Sequence, residues 1–390
     1  MVKLGEIFIR LTRKNIENNT NVLTISAKYG LVNQEEFFSK SIASDNKLNY
    51  FLLYKGDFAY NKSYSNGYPF GTIKALTRYE KGIVSPLYIC FSPAPENHCP
   101  EYYLKYIESG LMNKEIKAIA QEGARNHGLL NIGIDDFFNM LIPLPSLEIQ
   151  QKIADILSTQ DKLIELKQNL IDNKKQQKKW LMQNLLTGRI RLKGFSGKWE
   201  KVKLGKIADV KGGKRIPKGY QLQKENNSFP YITISDMENG NINTSNIRYV
   251  PFDVTDKIKK YRIYFDDIYI SVAGTLGLIG TIPKELNGAN LTENADRICN
   301  YHCNKQYLIS ILSSEIIQNQ IKFLQTNNAQ PKLAIEQIKN FIFNLPPIEE
   351  QTAIAEILSA QDKEIELLEK QLNQEKLKKK SLMQLLLTVK

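Results

Sequence analysis

The chain has 390 residues, 42% of them hydrophobic, enough for two or three ordinary cores, and no run approaches the eighteen or more apolar residues of a membrane span. Lysine and arginine outnumber the acids 53 to 41, a formal charge of +12, which favours a polyanionic partner such as nucleic acid or else marks a lysine-rich soluble protein. Cys90, Cys99, Cys299 and Cys303 are too few for a disulfide framework in a chain this long, and Met1 to Arg10 lack a secretory signal pattern, so a cytoplasmic protein is expected.

In chain order, Val2-Lys3-Leu4-Gly5-Glu6-Ile7 opens the sequence. Tyr50-Phe51-Leu52-Leu53-Tyr54 and the run from Ile83 to Ile89 are rich in aromatic and branched residues between Gly, Asp and Pro, and read as strands. From about Pro100 to Gln121, Tyr103, Tyr106, Ile107, Leu111, Ile116 and Ile119 recur near helical spacing. Residues 1–143 form one mixed α and β domain. A long helical segment follows over 144–188, and 189–198, bounded by Gly188 and holding Gly194 and Gly197, is a linker. The opening motif then returns as Val202-Lys203-Leu204-Gly205-Lys206-Ile207. A second domain over 199–344 has strands at Tyr231–Ile234, Ile268–Ser271 and Arg297–Cys299 and a helix from Gln306 to Gln325. A second long helix occupies 345–390.

The two long segments are copies. Leu144-Pro145-Ser146-Leu147-Glu148-Ile149-Gln150-Gln151 returns as Leu345-Pro346-Pro347-Ile348-Glu349-Glu350-Gln351-Thr352, and the offset of 201 holds without a gap to Leu181-Met182-Gln183 and Leu382-Met383-Gln384. Leu157, Gln160, Ile164, Lys167, Ile171, Lys174, Lys178, Leu181 and Leu185 step by threes and fours. So do Leu358, Gln361, Ile365, Leu368, Leu372, Glu375, Lys379, Leu382 and Leu386, and both rows are coiled-coil seams. Forty helical residues make a rod of about 60 Å, too long to bury one stripe on a small domain. The two helices are therefore expected to pair with each other, antiparallel, which places the domains at opposite ends with pseudo-twofold symmetry. The polar seam residues Gln160, Gln361, Lys178 and Lys379 are expected to weaken the seam and fix its register. The fold class is α+β.

Catalytic signatures are absent. Gly274-Thr275-Leu276-Gly277-Leu278-Ile279-Gly280 lacks the Lys-Ser/Thr of a Walker motif and the spacing of a dinucleotide fingerprint, and its counterpart from Asn66 to Ile73 is again a glycine-containing loop; a turn, or close backbone approach to a partner, explains both. Asn344-Leu345-Pro346-Pro347 only resembles an amino-methyltransferase motif out of register. Cys90, His98 and Cys99, echoed by Cys299, His302 and Cys303, lack a fourth ligand, and no metal site is expected. DNA contact is the better reading of Arg10, Arg13, Lys14, Lys28, Tyr29, Lys62, Tyr64 and Tyr68 in the first domain and of Lys211, Lys214, Arg215, Lys218 and Tyr220 in the second. Arg125, Asn126 and Lys332 lie at corresponding places after the second helix of each unit. Basic side chains on phosphates position a protein, and guanidinium or amide groups at base edges read sequence.

The doubled Leu-Pro-x-(Leu/Ile)-Glu-x-Gln-x-x-Ile-Ala-x-Ile-Leu-Ser-x-Gln-Asp-Lys, each copy following a variable mixed domain, resembles the specificity subunits of type I restriction-modification systems over the whole chain. The resemblance implies two target recognition domains, each reading half of a split asymmetric DNA site, and paired spacer helices that set the gap. It implies a chain without catalysis or cofactor of its own. Two adenine-N6 methyltransferase subunits would dock on the helical body, around Glu148, Gln150, Glu349 and Gln351, with endonuclease and translocase subunits joining them; these partners would use S-adenosylmethionine, ATP and magnesium. A fused restriction or methylation enzyme and a coiled-coil scaffold that binds no DNA are the competing readings. Methyl transfer by the isolated chain, or binding without salt dependence, would distinguish them.

Overall fold

The computed structural model describes residues 1–26, 29–38, 47–63, 68–94, 98–120, 130–238, 240–325 and 332–388. It divides into two units, Met1–Gln168 with Lys370–Lys390, and Asn169–Glu369, so each unit holds one domain and a stretch of both long helices.

The first unit runs β1 (Val2–Lys3), α1 (Leu4–Ile7), β2 (Phe8–Leu11), β3 (Leu23–Ser26), β4 (Gly30–Asn33), α2 (Gln34–Phe38), β5 (Phe51–Tyr54), β6 (Phe58–Asn61), β7 (Thr72–Ala75), β8 (Lys81–Val84), β9 (Ile89–Pro93), α3 (Pro100–Glu108), α4 (Asn113–Ile119), α5 (Ile134–Asn139) and β10 (Leu141–Ile142), and then enters α6 (Leu147–Leu185). Its main sheet has the antiparallel order β2-β9-β6-β7, with the hairpin β3-β4 and the pair β5-β8 beside it. Phe8, Phe58 and Phe91 anchor its core, with the Phe58 and Phe91 rings stacked at 5.3 Å and Phe8 edge-on to both.

The second unit runs β11 (Glu200–Lys203), α7 (Leu204–Ile207), β12 (Asp209–Gly212), β13 (Pro230–Ile232), β14 (Arg248–Tyr249), α8 (Thr255–Ile258), β15 (Arg262–Ile263), β16 (Ile268–Ser271), β17 (Ile279–Gly280), β18 (Ala289–Leu291), β19 (Ala295–Cys299), α9 (Lys305–Ser313), α10 (Glu315–Gln325), α11 (Ile335–Lys339), β20 (Ile342–Leu345) and α12 (Ile348–Leu387). The order β12-β19-β16-β17 repeats that of the first unit's main sheet. The second sheet differs: β14-β13-β18-β15, in which β13 and β18 run parallel. The framework is duplicated and its decoration is not.

Several sequence-expected elements are broken. The run from Ile83 to Ile89 is two strands in different sheets, because Pro86, which has no N–H to give a ladder, lies between β8 and β9. The helix expected over Pro100–Gln121 is interrupted at Gly110, whose φ of +77° ends the run, and Ala120 is already extended. The helix expected over Gln306–Gln325 breaks at Ser314, which is extended and donates its hydroxyl to Ile311 O at 2.6 Å. Tyr231–Ile234 stops as a strand at Ile232, since Thr233 and Asp236 close a capped 3-10 turn.

The long helices span 39 and 40 residues and pair antiparallel within each unit. In the first unit Lys379 reaches Asp161 at 2.5 Å, and Lys167 reaches Gln371 at 3.1 Å. In the second, Lys174 meets Glu364 at 2.7 Å and Lys178 meets Asp362. Asp161 and Asp362 are repeat equivalents, as are Lys178 and Lys379, so one ion pair occurs twice. The expected seam residues are buried or half-buried throughout. Among their polar members, Gln160 donates to another seam residue, to Glu375 O at 3.2 Å and Glu375 Oε2 at 2.9 Å, whereas the side-chain oxygen of Gln361 is buried without a partner among the described residues.

The repeated motif at the start of each long helix is a clamp between helix and domain. Gln150 Oε1 accepts from Cys99 N at 2.8 Å, and Gln351 Oε1 accepts from Asn304 N at 2.8 Å, where Cys99 and Asn304 precede α3 and α9. Gln150 Nε2 donates to Pro145 O at 2.9 Å and Gln351 Nε2 to Pro346 O at 2.8 Å. Tyr103 and Tyr307 complete it by donating to Pro143 O at 3.4 Å and Asn344 O at 2.9 Å. Each glutamine serves as donor and acceptor at one buried junction, a demand no apolar residue meets.

The linker is fixed in the second unit. Arg191 donates through Nε and an Nη to the two oxygens of buried Glu350 at 2.6 and 2.7 Å, and Trp199 Nε1 donates to the same carboxylate at 2.9 Å.

Candidate nucleic-acid interface

Strand β12 and the loop after it, through Tyr220, carry the densest group of expected DNA-contacting residues. Lys211, Lys214, Arg215, Lys218 and Tyr220 are all exposed. The close approach at Gly213 is to the chain's own backbone: a β carbon there would fall 1.9 Å from Thr292 O and 2.7 Å from Leu291 O. The contact pins the loop to the turn after β18, with Lys214 N donating to Leu291 O at 2.8 Å.

Charges along the loop are partly committed. Arg215 pairs with Glu293, Lys211 lies 3.6 Å from Asp209, and the Lys214 ammonium sits 5.8 Å from the Tyr261 ring centre. Burial pushes the Glu293 carboxyl up, but Arg215, together with hydrogen bonds from the Glu293 backbone N–H and from Thr292, holds the group below its ordinary value. Lys257, which the sequence reading does not single out, stands 5.2 Å from the Tyr220 ring centre. The signal for it was present in the basic stretch Lys257, Lys259, Lys260 and Arg262. Lys332 is exposed ahead of α11 and acts electrostatically on Asp296, a buried acid of β19 that sequence reasoning also missed.

In the first unit the expected residues are scattered. Arg10 is exposed on β2. Arg13 is occupied by the fold: it donates to Asp57 at 2.6 Å and to Leu52 O at 3.3 Å and lies 4.3 Å over Tyr54. It anchors a nearly buried carboxylate while its own side chain stays 39% exposed. Lys14 is exposed, donates to Asn49 O at 3.1 Å and covers Phe51. Tyr29 and Tyr68 are exposed, and Lys62 is half-buried. Lys28, Tyr64, Arg125 and Asn126 lie outside the described residues.

Glycines of the two loops hold backbone conformations and close contacts that a side chain would disturb. Gly274 and Gly277 both have φ of +76°, and a β carbon at Gly277 would meet Ile321 at 2.8 Å. Gly71, with φ of +73°, packs against Asn61 O in the first unit.

The expected partner-docking residues divide. Gln150 and Gln351, 0% and 3% exposed, are consumed by the clamps, so their placement on an outer surface is corrected. Glu148 and Glu349 are exposed. Beside them Leu147 and Ile348 are 49% and 50% exposed, and Leu141 and Ile342, also repeat equivalents, are exposed too. Two open grooves recur in the same way. One, of about 580 Å³, is lined by Lys175, Lys179 and Gln183; the other, of about 520 Å³, by their equivalents Lys376, Lys380 and Gln384.

The cysteines are unpaired thiols; burial pushes Cys90 up to about 12 and Cys303 up to about 11. Among the described residues no helix is long and apolar enough to cross a membrane.

A family model for the type I restriction modification DNA specificity domain matches residues 1–174 and again residues 196–376. The chain belongs to the family of type I restriction-modification specificity subunits. Two similar specificity subunits come from Methanocaldococcus jannaschii. The MjaVIII subunit is 29% identical over 304 residues, 74% of this chain and 69% of that protein, and the putative MjaX subunit is 30% identical over 312 residues, 76% and 69%. Among solved structures, a chain from work on assembly and conformational transition of a type I restriction-modification system aligns with a TM-score of 0.62 at 16% identity, covering 99% of this chain and 96% of that one. The specificity subunit of M. genitalium aligns with a TM-score of 0.57 at 17% identity, covering 100% and 96%. As a specificity subunit the chain serves DNA sequence recognition, and the subunits it resembles are the non-catalytic members of their systems. Its duplicated clamps and main sheets are the structural form of the family's doubled domain.

Proposed function

We propose that this specificity subunit reads a bipartite, asymmetric DNA site, each domain recognising one half and the antiparallel helices fixing the spacing between the halves. The carrying observation is a duplicated framework with unlike decoration. Both units have the same four-stranded order and the same glutamine clamp, while the accessory sheets differ. A duplicated mount with two different reading surfaces suits two different half-sites.

The exposed pairs Leu147 with Glu148 and Ile348 with Glu349 suit the docking of two adenine-N6 methyltransferase subunits, one at the start of each long helix. Endonuclease and translocase subunits join that core in the cytoplasm, and S-adenosylmethionine, ATP and magnesium are used by these partners. The chain itself supplies positioning: phosphate contacts from exposed lysines and base-edge contacts from the loops.

The test is an exchange of residues 1–143 for another recognition domain, followed by mapping of methylated adenines in cells that carry the complete system. One half of the methylated motif changes and the other half and the gap remain. Changes in both halves would count against the modular reading.

A further inference from the structure

Asp296 lies on β19 directly opposite Gly212 of β12, with Ile270 of β16 on its other side. Its side chain is held in a niche next to the β12 loop. A β carbon at Gly212 would lie 3.5 Å from Asp296 Oδ1 and 3.6 Å from Ile335, so the glycine leaves that side of the carboxylate uncovered. The residue is 5% exposed.

What separates Asp296 from the other buried acids is the lack of a donor. Asp57 receives Arg13 and Tyr54 N; Asp236 receives the amide and hydroxyl of Thr233; Asp267 receives Arg297 and Tyr264 N; Glu350 receives Arg191 and Trp199. No described residue donates a hydrogen bond to Asp296. Buried polar groups are nearly always satisfied, and a carboxylate left without donors is expensive, so an unfilled one next to a ligand-binding loop points to a donor brought by the ligand. Burial pushes this carboxyl up to about 6, with Lys332 partly opposing it, which is the condition of a group waiting for a donor.

We infer that Asp296 is a specificity-determining residue of the second domain, accepting a hydrogen bond from the exocyclic amino group of a cytosine or adenine in the half-site that this domain reads. The inference rests on the DNA-reading proposal above. Guanine and thymine present acceptors at the corresponding major-groove positions, so a carboxylate there excludes them. Exposed Lys211, Lys214 and Lys332 supply the phosphate contacts that bring a base edge to the niche.

The experiment uses the full chain co-expressed with the methyltransferase subunits of its own source and maps methylated adenines in the host genome for wild type, Asp296→Asn and Asp296→Ser. Wild type yields a two-part motif. Both variants lose discrimination by about tenfold or more at one cytosine or adenine of one half-site, with the other half and the gap unchanged. An unchanged motif in both variants overturns the inference, and so does an equal loss of methylation at every position. Thermal unfolding guards the result: Asp296→Asn removes an unpaired charge and melts no lower than wild type. A lower melting temperature would mean that the fold itself satisfies the carboxylate, and would equally overturn it. If wild type yields no two-part motif, the DNA-reading proposal fails instead.

Discussion

The Gln351 side chain accepts a 2.8 Å hydrogen bond from the Asn304 amide at the point where α9 begins. Its own amide donates to Pro346 O at 2.8 Å, so one residue ties the domain helix to the entry of α12. Replacing Gln351 with Ala leaves a buried N–H and a buried carbonyl without partners, and stability is expected to fall by about 2–4 kcal/mol. Chemical denaturation of the full chain measures this, and Gln150→Ala should behave alike because Cys99 N and Pro145 O hold Gln150 in the same way. A change below about 0.5 kcal/mol for both would mean that the clamps carry no stability.

Asp161 gives a pH-dependent counterpart on the helix pair. It accepts from Lys105 of α3 at 2.6 Å and from Lys379 of α12 at 2.5 Å. Burial pushes its carboxyl up, but the two lysines outweigh burial and hold it below its ordinary value of 3.8. A depressed folded-state value means that the native state binds this proton less readily than the unfolded chain. Its stabilisation is therefore present above the ordinary value and is lost as pH falls through the lower, native one. Asp161→Asn should cost about 1–2 kcal/mol at neutral pH, reduced from a fully buried pair because the site is partly solvated. The gap between variant and wild type should close in acid, below about pH 3.8. A gap independent of pH would assign the loss to packing.

Much of this fold was legible in the chain because duplication writes the same physics twice. The seam from Leu157 to Leu185 could be read from its spacing, since a rod of that length must bury a stripe on another rod. The broken helices were not legible, because Gly110 and Ser314 interrupt rows whose apolar spacing continues beyond them, and periodicity does not register one residue's backbone angles. Gln150 and Gln351 misled for a related reason. A polar residue in a first helical turn reads as surface until a tertiary partner, here Cys99 N or Asn304 N, claims it. At the interface the sequence displayed its cations and hid their acidic partners: Arg13 faces Asp57, and Arg215 faces Glu293. Asp296 looked like one acid in a strand, and only its lack of a donor, in the register opposite Gly212, sets it apart.

That register also makes a stability prediction with the opposite sign to Asp161. Burial moves the Asp296 carboxyl from its ordinary 3.8 up to about 6, so the native state holds this proton more tightly than the unfolded chain. Stability therefore declines as pH rises through that window, and the full penalty applies above it. Two pK units correspond to at most about 3 kcal/mol. Asp296→Asn should raise the melting temperature at pH 7 to 8 and have little effect near pH 4, as thermal scans at several pH values would show. An equal shift at both ends would mean that the charge is not the cause.

The last prediction concerns how many catalytic subunits the helical body holds. Leu147 and Ile348 are repeat equivalents, each about half exposed in the first turn of its helix beside an exposed glutamate. If each seats one methyltransferase subunit, removing a buried leucine-sized contact and placing a charge there lowers affinity about 10- to 100-fold at that seat alone. Leu147→Asp and Ile348→Asp should each yield a complex with one methyltransferase, the double variant a chain with none, and wild type a chain with two, counted by native mass spectrometry. Exposed first-turn positions tolerate an acid next to the helix N-terminus, so the free variants should melt within about 0.5 kcal/mol of wild type. Single variants that still bind two copies at full affinity would move the docking surface elsewhere on the rod. If one single variant loses both copies, the two seats are not independent, and the first methyltransferase then helps to build the site for the second.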